Sequence, residues 1–390
     1  MFFYFSLLLS CLIFAVYVVW LPISWPKRLL VTLAATLASS RLYLLRQIFG
    51  GLAAQEAPKA LLTATSWAQN TVVVLLTLAA TRLLIFGLVR AAAPLAGPAA
   101  KAQLLTVGQA VMSGRTSLGL LIAAALLGWY GLHEAAKVPA VNRHEVRLQG
   151  WPTALDGLKV AVLADLHISP FFDRPWVASV VERTMAEKPD IILLPGDIVD
   201  GSASARHDDI EPLSGLQAPY GVFGCPGNHE YYSQIAEWSP VFKRLGLTML
   251  HNGHQVVAPG GTPLIVAGLT DSTALDRRFN LPGPDLAAAL AGAPEGPPVL
   301  LMEHRPGRAR QNAQKAEILL QVSGHTHGGM MPILKTLVKR ANQGFLAGWY
   351  DVDGLKLLVQ PGVGLWSGFP MRLADPSEIS LLTIRTASTK

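Results

Sequence analysis

The chain has 390 residues, 51% of them hydrophobic, two cysteines and a formal net charge of +6. That length has room for more than one domain, and Cys11 and Cys225 are too few for a disulfide framework. The charge divides sharply: residues 1–150 hold 12 Lys and Arg against 3 Asp and Glu (+9), residues 151–390 hold 20 against 23 (−3), which argues against a nucleic-acid-binding face on the second part.

The basic excess flanks long apolar runs, as it does around membrane helices. Phe2 to Leu21 is uninterrupted apolar sequence, closed by Pro22, Trp25, Pro26, Lys27 and Arg28. A bilayer span needs roughly 20 such residues. The run has neither the positive leading segment nor the small-residue cleavage site of a secretory signal, so it reads as a first span. Further spans are predicted near 29–45, 71–89 and 117–136, which makes residues 1–140 a transmembrane domain of about four helices. Arg41 and Arg82 are the basic residues inside these runs. Arg41, near a span end, is placed to snorkel; Arg82, near mid-span, marks helix pairing or contact with a lipid headgroup. Lys27 and Arg28 are the only positive flank of the first helix. With an even number of spans, they predict that the second part of the chain lies outside the cytoplasm.

Residues 141–150 read as a linker or first strand, and from Trp151 the chain has α/β character. Leu158–Ala164 looks like a strand that runs into Asp165-Leu166-His167. In extended chain alternate side chains point the same way, so Asp165 and His167 are expected to grip one ion. Four more apolar runs end in polar groups: Ile191–Leu194 before Pro195-Gly196-Asp197, Gly221–Cys225 before Pro226-Gly227-Asn228-His229-Glu230, Pro298–Met302 before Glu303-His304-Arg305-Pro306, and Ile318–Val322 before Ser323-Gly324-His325-Thr326-His327-Gly328-Gly329. A lone Asp-x-His or Gly-Asp is most often a turn. Two imidazoles at i and i+2 between glycines have little structural purpose. Polar groups gathered at the ends of strands are where α/β sheets place active sites.

In this order, Asp165-x-His167, Gly196-Asp197, Gly227-Asn228-His229-Glu230, His304 and Gly324-His325-x-His327 resemble the calcineurin-like metallophosphoesterase superfamily. The likeness covers roughly residues 144–385, including Gly364-Leu365-Trp366, Pro370-Met371-Arg372 and Pro376-Ser377-Glu378. It is greatest to the membrane-associated bacterial branch, with its exported phosphodiesterases and transmembrane proteins bearing a metallophosphoesterase domain. Ala164 stands where that branch carries Ser, and Met330 where it carries Gln; neither is a ligand position. The resemblance implies that residues 151–388 form a β-sandwich flanked by helices, with a dimetal site at the strand ends.

It also implies the roles. Asp165, His167 and His327 would hold one divalent ion, Asn228, His304 and His325 a second, and Asp197 would bridge them. Carboxylate, imidazole and amide ligands suit Mn, Fe or Zn. Two ions roughly 3.5–4 Å apart can make a shared hydroxide nucleophilic near neutral pH. His229 would hydrogen-bond the phosphoryl group or protonate the leaving group, and Asp200 or Glu230 would orient His229 or a ligand histidine. Arg305 and Arg372 are further candidates, against the substrate or behind the ligands.

The expected function is therefore hydrolysis of a phosphodiester or phosphomonoester, on an amphipathic or lipid-linked substrate, by an integral protein of the bacterial inner membrane whose catalytic domain is extracytoplasmic. The alternative is a pyrophosphate hydrolase of the UDP-diacylglucosamine type in lipid A synthesis, which favours a cytoplasmic site. A non-catalytic membrane scaffold would be marked by a missing ligand, and none is missing. Finally, Pro332 can open a helix whose Ile333, Leu334, Leu337 and Val338 share one side beside Lys335, Lys339 and Arg340. With Phe171, Phe172 and Trp176 it is expected to form a rim that rests on the bilayer.

Overall fold

The computed structural model describes residues 2–50, 56–315 and 318–387. They form two compact units. One runs to Glu134 and takes in Gly368–Met371; the other comprises Ala135–Ser367 and the chain from Arg372 onward.

The first unit is helical: α1 (Phe2–Val16), α2 (Trp25–Ser39), α3 (Arg41–Phe49), α4 (Lys59–Ala92), α5 (Pro98–Val111) and α6, which begins at Gly114 and ends at Ala136. Among the described residues two helices, Lys59–Leu95 and Gly114–Ala136, are long and apolar enough to cross a bilayer, and α2 with α3 makes a third if that pair, bent by 61°, counts as one. The expected count of four spans is corrected accordingly. Hydropathy alone does not register where backbone hydrogen bonding breaks. Among the described side chains, the first run contributes the shorter apolar helix Leu8–Trp20, and the second run breaks at Ser40. Within α4, Thr63, Thr65, Thr71 and Thr77 each donate to the carbonyl four residues back, so their hydroxyls do not face an apolar surface unpaired.

Of the two arginines in these helices, Arg82 takes the helix-pairing role expected for it, and Arg41 departs from expectation. Arg82 is 3% exposed, so it meets no headgroup. It donates to the carbonyls of Val16 (2.7 Å) and Val111 (3.0 Å), the last residues of α1 and α5, and to that of Ser113 (3.4 Å) just ahead of α6, and lies over the Tyr17 ring. Arg41 is 2% exposed and does not snorkel. It donates to Thr65, to Gln69 and to the carbonyl of Gly368 (3.2 Å), while Asn70 donates to the carbonyl of Pro370 (2.9 Å). These polar side chains give the backbone of Gly368–Met371 its place in the helical unit.

The second unit holds two six-stranded sheets. The first has the order β1 (Ala140–Leu148), β12 (Glu378–Thr386), β2 (Leu158–Val162), β3 (Ile191–Pro195), β4 (Val222–Cys225), β5 (Thr248–Met249). The second runs β10 (Gly348–Val352), β11 (Leu355–Val359), β9 (Ile318–Ser323), β8 (Val299–Met302), β7 (Leu264–Gly268), β6 (Gly253–Val257). Alternation along each strand builds two cores. Leu300 and Met302 of β8 join Val160, Val162, Leu193, Phe223, Val266, Leu320 and Leu382 between the sheets, whereas Val299 and Leu301 join Ile265, Ile318, Leu357 and Phe345 on the outer face. Both faces of these strands are covered, which is why they read as continuous apolar runs.

Strands β2, β3 and β4 are parallel, as are β7, β8 and β9. Each sheet therefore delivers its strand-end motifs to one edge. Gln360, buried after β11, ties the sheets there: its amide donates to the Val162 carbonyl (2.7 Å) and its oxygen accepts from the Ala164 N–H (2.8 Å). The helix Pro332–Ala341 follows the last motif and has no buried residue. Phe171, Phe172 and Trp176 are 5%, 0% and 6% exposed, so the aromatic half of the expected rim is core instead, with Phe172 packed on Trp176.

Candidate metal centre

The strand-end loops do not continue as extended chain. Asp165 (φ 55°), His167 (φ 47°), Asp197 (φ 52°), His325 (φ 71°) and His327 (φ 49°) all take left-handed backbone, a strain worth about 1–3 kcal/mol each for non-glycine residues. Asp165 and His167 come together through this turn, after β2 has ended at Val162, and not by strand alternation. Strain collected at one locus is characteristic of a functional site. The glycines make the approach possible. A side chain at Gly227 would land on the carboxylate of Asp197, and one at Gly324 on that of Asp165.

Two trios of His and Asp converge here, Asp165 with His167 and His327, and Asp197 with His304 and His325; a third links His167, Asp197 and His229. His304 explains why they suit a cation. Its Nδ1 faces the carbonyl of Pro195 (3.0 Å), which fixes the N–H there. Its Nε2 then points a lone pair at Oδ2 of Asp197, Oδ1 of Asn228 and Nδ1 of His325, each 3.2 Å away. Acceptors facing acceptors call for a proton or a metal ion. His167 repeats the pattern: Nδ1 pairs with Asp200 (3.2 Å), and its fully buried Nε2 has no hydrogen-bond partner. That nitrogen lies 3.6 Å from Oδ2 of Asp197 and 3.9 Å from Oδ1 of Asp165. These residues fit a pair of divalent ions.

Electrostatics agree. Burial, then neighbouring His304 and Arg305, hold the His325 imidazole neutral down to about 3, and burial keeps His327 well below its ordinary value, so both offer lone pairs at any ordinary pH. Burial pulls His304 down, but Asp197 and Asp165 outweigh it and hold a proton on the ring up to about 10. A metal ion would compete for that place.

His229 stands beside the trios. Burial would lower its pKa, yet the carboxylates of Asp200 and Asp197 raise it to about 9, with Asp200 on Nδ1 in a short contact. Asp200 is itself held below the usual carboxylate range, against burial, by His229 and His167. One buried carboxylate thus orients two histidines. Glu230 orients neither. It accepts from the backbone N–H of Asp197, Ile198, Val199 and Gly227 (2.7–3.2 Å) and pins the loop that carries Asp197. Arg372 is 2% exposed and donates to the carbonyls of Pro361, Gly364 and His327, so it shapes loops and does not face a substrate. Arg305 is partly exposed beside His325 (3.2 Å), fixed by Asp271 (2.8 Å) and Thr273 (3.2 Å). Sequence reasoning missed Asp271, although the run Leu264–Gly268 followed by an acid has the same form as the other motifs.

The family profile for calcineurin-like phosphoesterases matches residues 158–329, the segment that carries all of these loops up to Gly329. A zebrafish "transmembrane protein with metallophosphoesterase domain" is 34% identical over 72% of this chain and 65% of its own length, and a bovine protein of the same name is 31% identical over 70% and 63%. An "uncharacterized metallophosphoesterase" of Helicobacter pylori is 34% identical over 67% of this chain and 68% of its own length. The chain belongs to the calcineurin-like phosphoesterase family. It spans less than two thirds of the zebrafish and bovine relatives.

Proposed function

We propose that this chain is a membrane-anchored, metal-dependent hydrolase of phosphate esters, acting on an amphipathic or lipid-linked phosphodiester or phosphomonoester. The observation that carries the proposal is the position of His304 Nε2, set among Asp197, Asn228 and His325 at 3.2 Å each, a place that calls for a proton or a cation. Asp165, His167 and His327 would hold one ion, Asn228, His304 and His325 the other, with Asp197 between them. Such a pair supplies Lewis acidity and a water acidic enough to react near neutral pH. The chain's own residues do the rest. His229, fixed at Nδ1 by Asp200, carries the proton that the leaving oxygen needs. Arg305, held by Asp271 and Thr273, offers a guanidinium to a phosphoryl oxygen. The tether rests on α4 and α6 and on the relatives named as transmembrane proteins; a bacterial inner membrane with the hydrolase unit outside the cytoplasm rests on the resemblance to exported bacterial relatives.

The test is metal-stripped full-length protein in detergent, given Mn, Fe or Zn singly, against a diester, a monoester and a nucleotide-sugar pyrophosphate. Metal-dependent cleavage of an ester is expected. No turnover with any metal would overturn the proposal, and preference for the pyrophosphate would move the substrate to another class.

A further inference from the structure

The helix Pro332–Ala341 begins three residues after Gly329, the end of the loop that carries His325 and His327. Its apolar residues fall on one continuous arc at about 100° per residue: Ile333, Leu337, Leu334 and Val338. None is buried; Ile333 is 56% and Leu337 66% exposed, while Leu334 and Val338 are half-covered. A helix that packs on a core hides such an arc. The complementary arc carries Lys335, Lys339 and Arg340, and the helix contains no acid. Lys335 is held by Asp375 (3.1 Å), which leaves a basic end at Lys339 and Arg340.

The local charge runs against its surroundings. Residues 151–390 are net −3, yet these ten residues carry three cations. Exposed leucine-type side chains edged by Lys and Arg match a surface that is apolar below and anionic above. The same chain carries helices of bilayer-crossing length, which keep it at such a surface.

We infer that the helix Pro332–Ala341 is a docking element for an anionic lipid surface. Ile333 and Leu337 enter the acyl boundary, Lys339 and Arg340 meet lipid phosphates, and the histidine loop just ahead of the helix is held close to the headgroups. The inference rests on the proposed membrane tether and names the surface from which the site would take its substrate.

The test uses the full chain in lipid nanodiscs, in a Cys11→Ser background; Cys225 is buried and unreactive. A polarity-sensitive dye is attached at Leu337→Cys, or at Gln255→Cys on the exposed edge strand β6 of the second sheet as control. With phosphatidylglycerol in the disc, the Leu337 label should emit in the blue and be quenched by lipids brominated in the upper acyl chain. The control should stay water-like. Lys339→Glu with Arg340→Glu should return the Leu337 label toward the control. A water-like Leu337 label in every lipid mixture overturns the inference, and so does a blue, quenched label that ignores both phosphatidylglycerol and the charge reversal. This readout needs no turnover, so it stands apart from any failure of the hydrolase proposal. Where hydrolysis is present, Ile333→Ser with Leu337→Ser should lower cleavage of a vesicle-borne phosphoester about tenfold and leave a small soluble ester unchanged. Equal loss on both substrates would also count against it.

Discussion

At His229, His304 and His167 alike, a partner fixed on Nδ1 sets the direction in which the other ring nitrogen faces. Asp200 takes Nδ1 of both His229 and His167, and the Pro195 carbonyl takes Nδ1 of His304. The difference lies in what each Nε2 meets. For His304 it is Asp197, Asn228 and His325; the His229 ring lies edge-on to His167, with Tyr232 and Trp366 on its other sides. His229→Ala should therefore retain metal, measured by elemental analysis, while kcat falls about 10²–10⁴-fold, more for esters with poor leaving groups. Loss of metal instead would make His229 a ligand. At this scale the sequence showed which residues to gather, because Asp, Asn and His after apolar runs are conspicuous. It did not show what holds them. Glu230 looked like a partner for His229 and turned out to bind four backbone N–H groups, a job that depends on loop geometry and leaves no mark in the residue string.

Among elements, strands were the legible ones. Residues 158–162, 191–195, 222–225, 299–302 and 318–323 are strands where apolar runs predicted them, since burial on both faces leaves a continuous signal. The pairing of β1 with β12 was not legible, because it joins residues more than 230 positions apart. A carboxylate clasps that pair: Glu378 accepts from Asn142 (2.6 Å) and Ser380, with His144 Nε2 3.6 Å away. Burial raises its pKa, but these hydrogen bonds outweigh that and hold it below the usual carboxylate value. A depressed folded-state pKa means that the stabilisation is complete above the unfolded value, about 4.3, and is lost as pH falls through the folded one. Glu378→Gln should then cost about 1 kcal/mol near neutrality, with the deficit against wild type closing as the pH is lowered toward 3. A deficit constant across that range, in thermal unfolding of the detergent-solubilised protein, would assign it to packing.

For the whole molecule, composition and charge separated a helical part from an α/β part, and the structure has two compact units. Composition could not show that Gly368–Met371, deep in the second part's sequence, belongs to the helical unit through Arg41 and Asn70, since that depends on two buried polar side chains finding backbone carbonyls. Sidedness is open to direct labelling. In a Cys11→Ser background, Ser204→Cys, an exposed loop position, should react with an impermeant thiol reagent in intact cells. Reaction only after lysis would place the unit in the cytoplasm. The central claim, that Asp197 stands between two ions that drive ester hydrolysis, is tested most directly by Asp197→Asn, with metal content and turnover measured on the same preparation. The account predicts fewer ions per chain than wild type and turnover lower by about 10²–10³ or more, with an unchanged circular dichroism spectrum. Full metal content with wild-type turnover would contradict it.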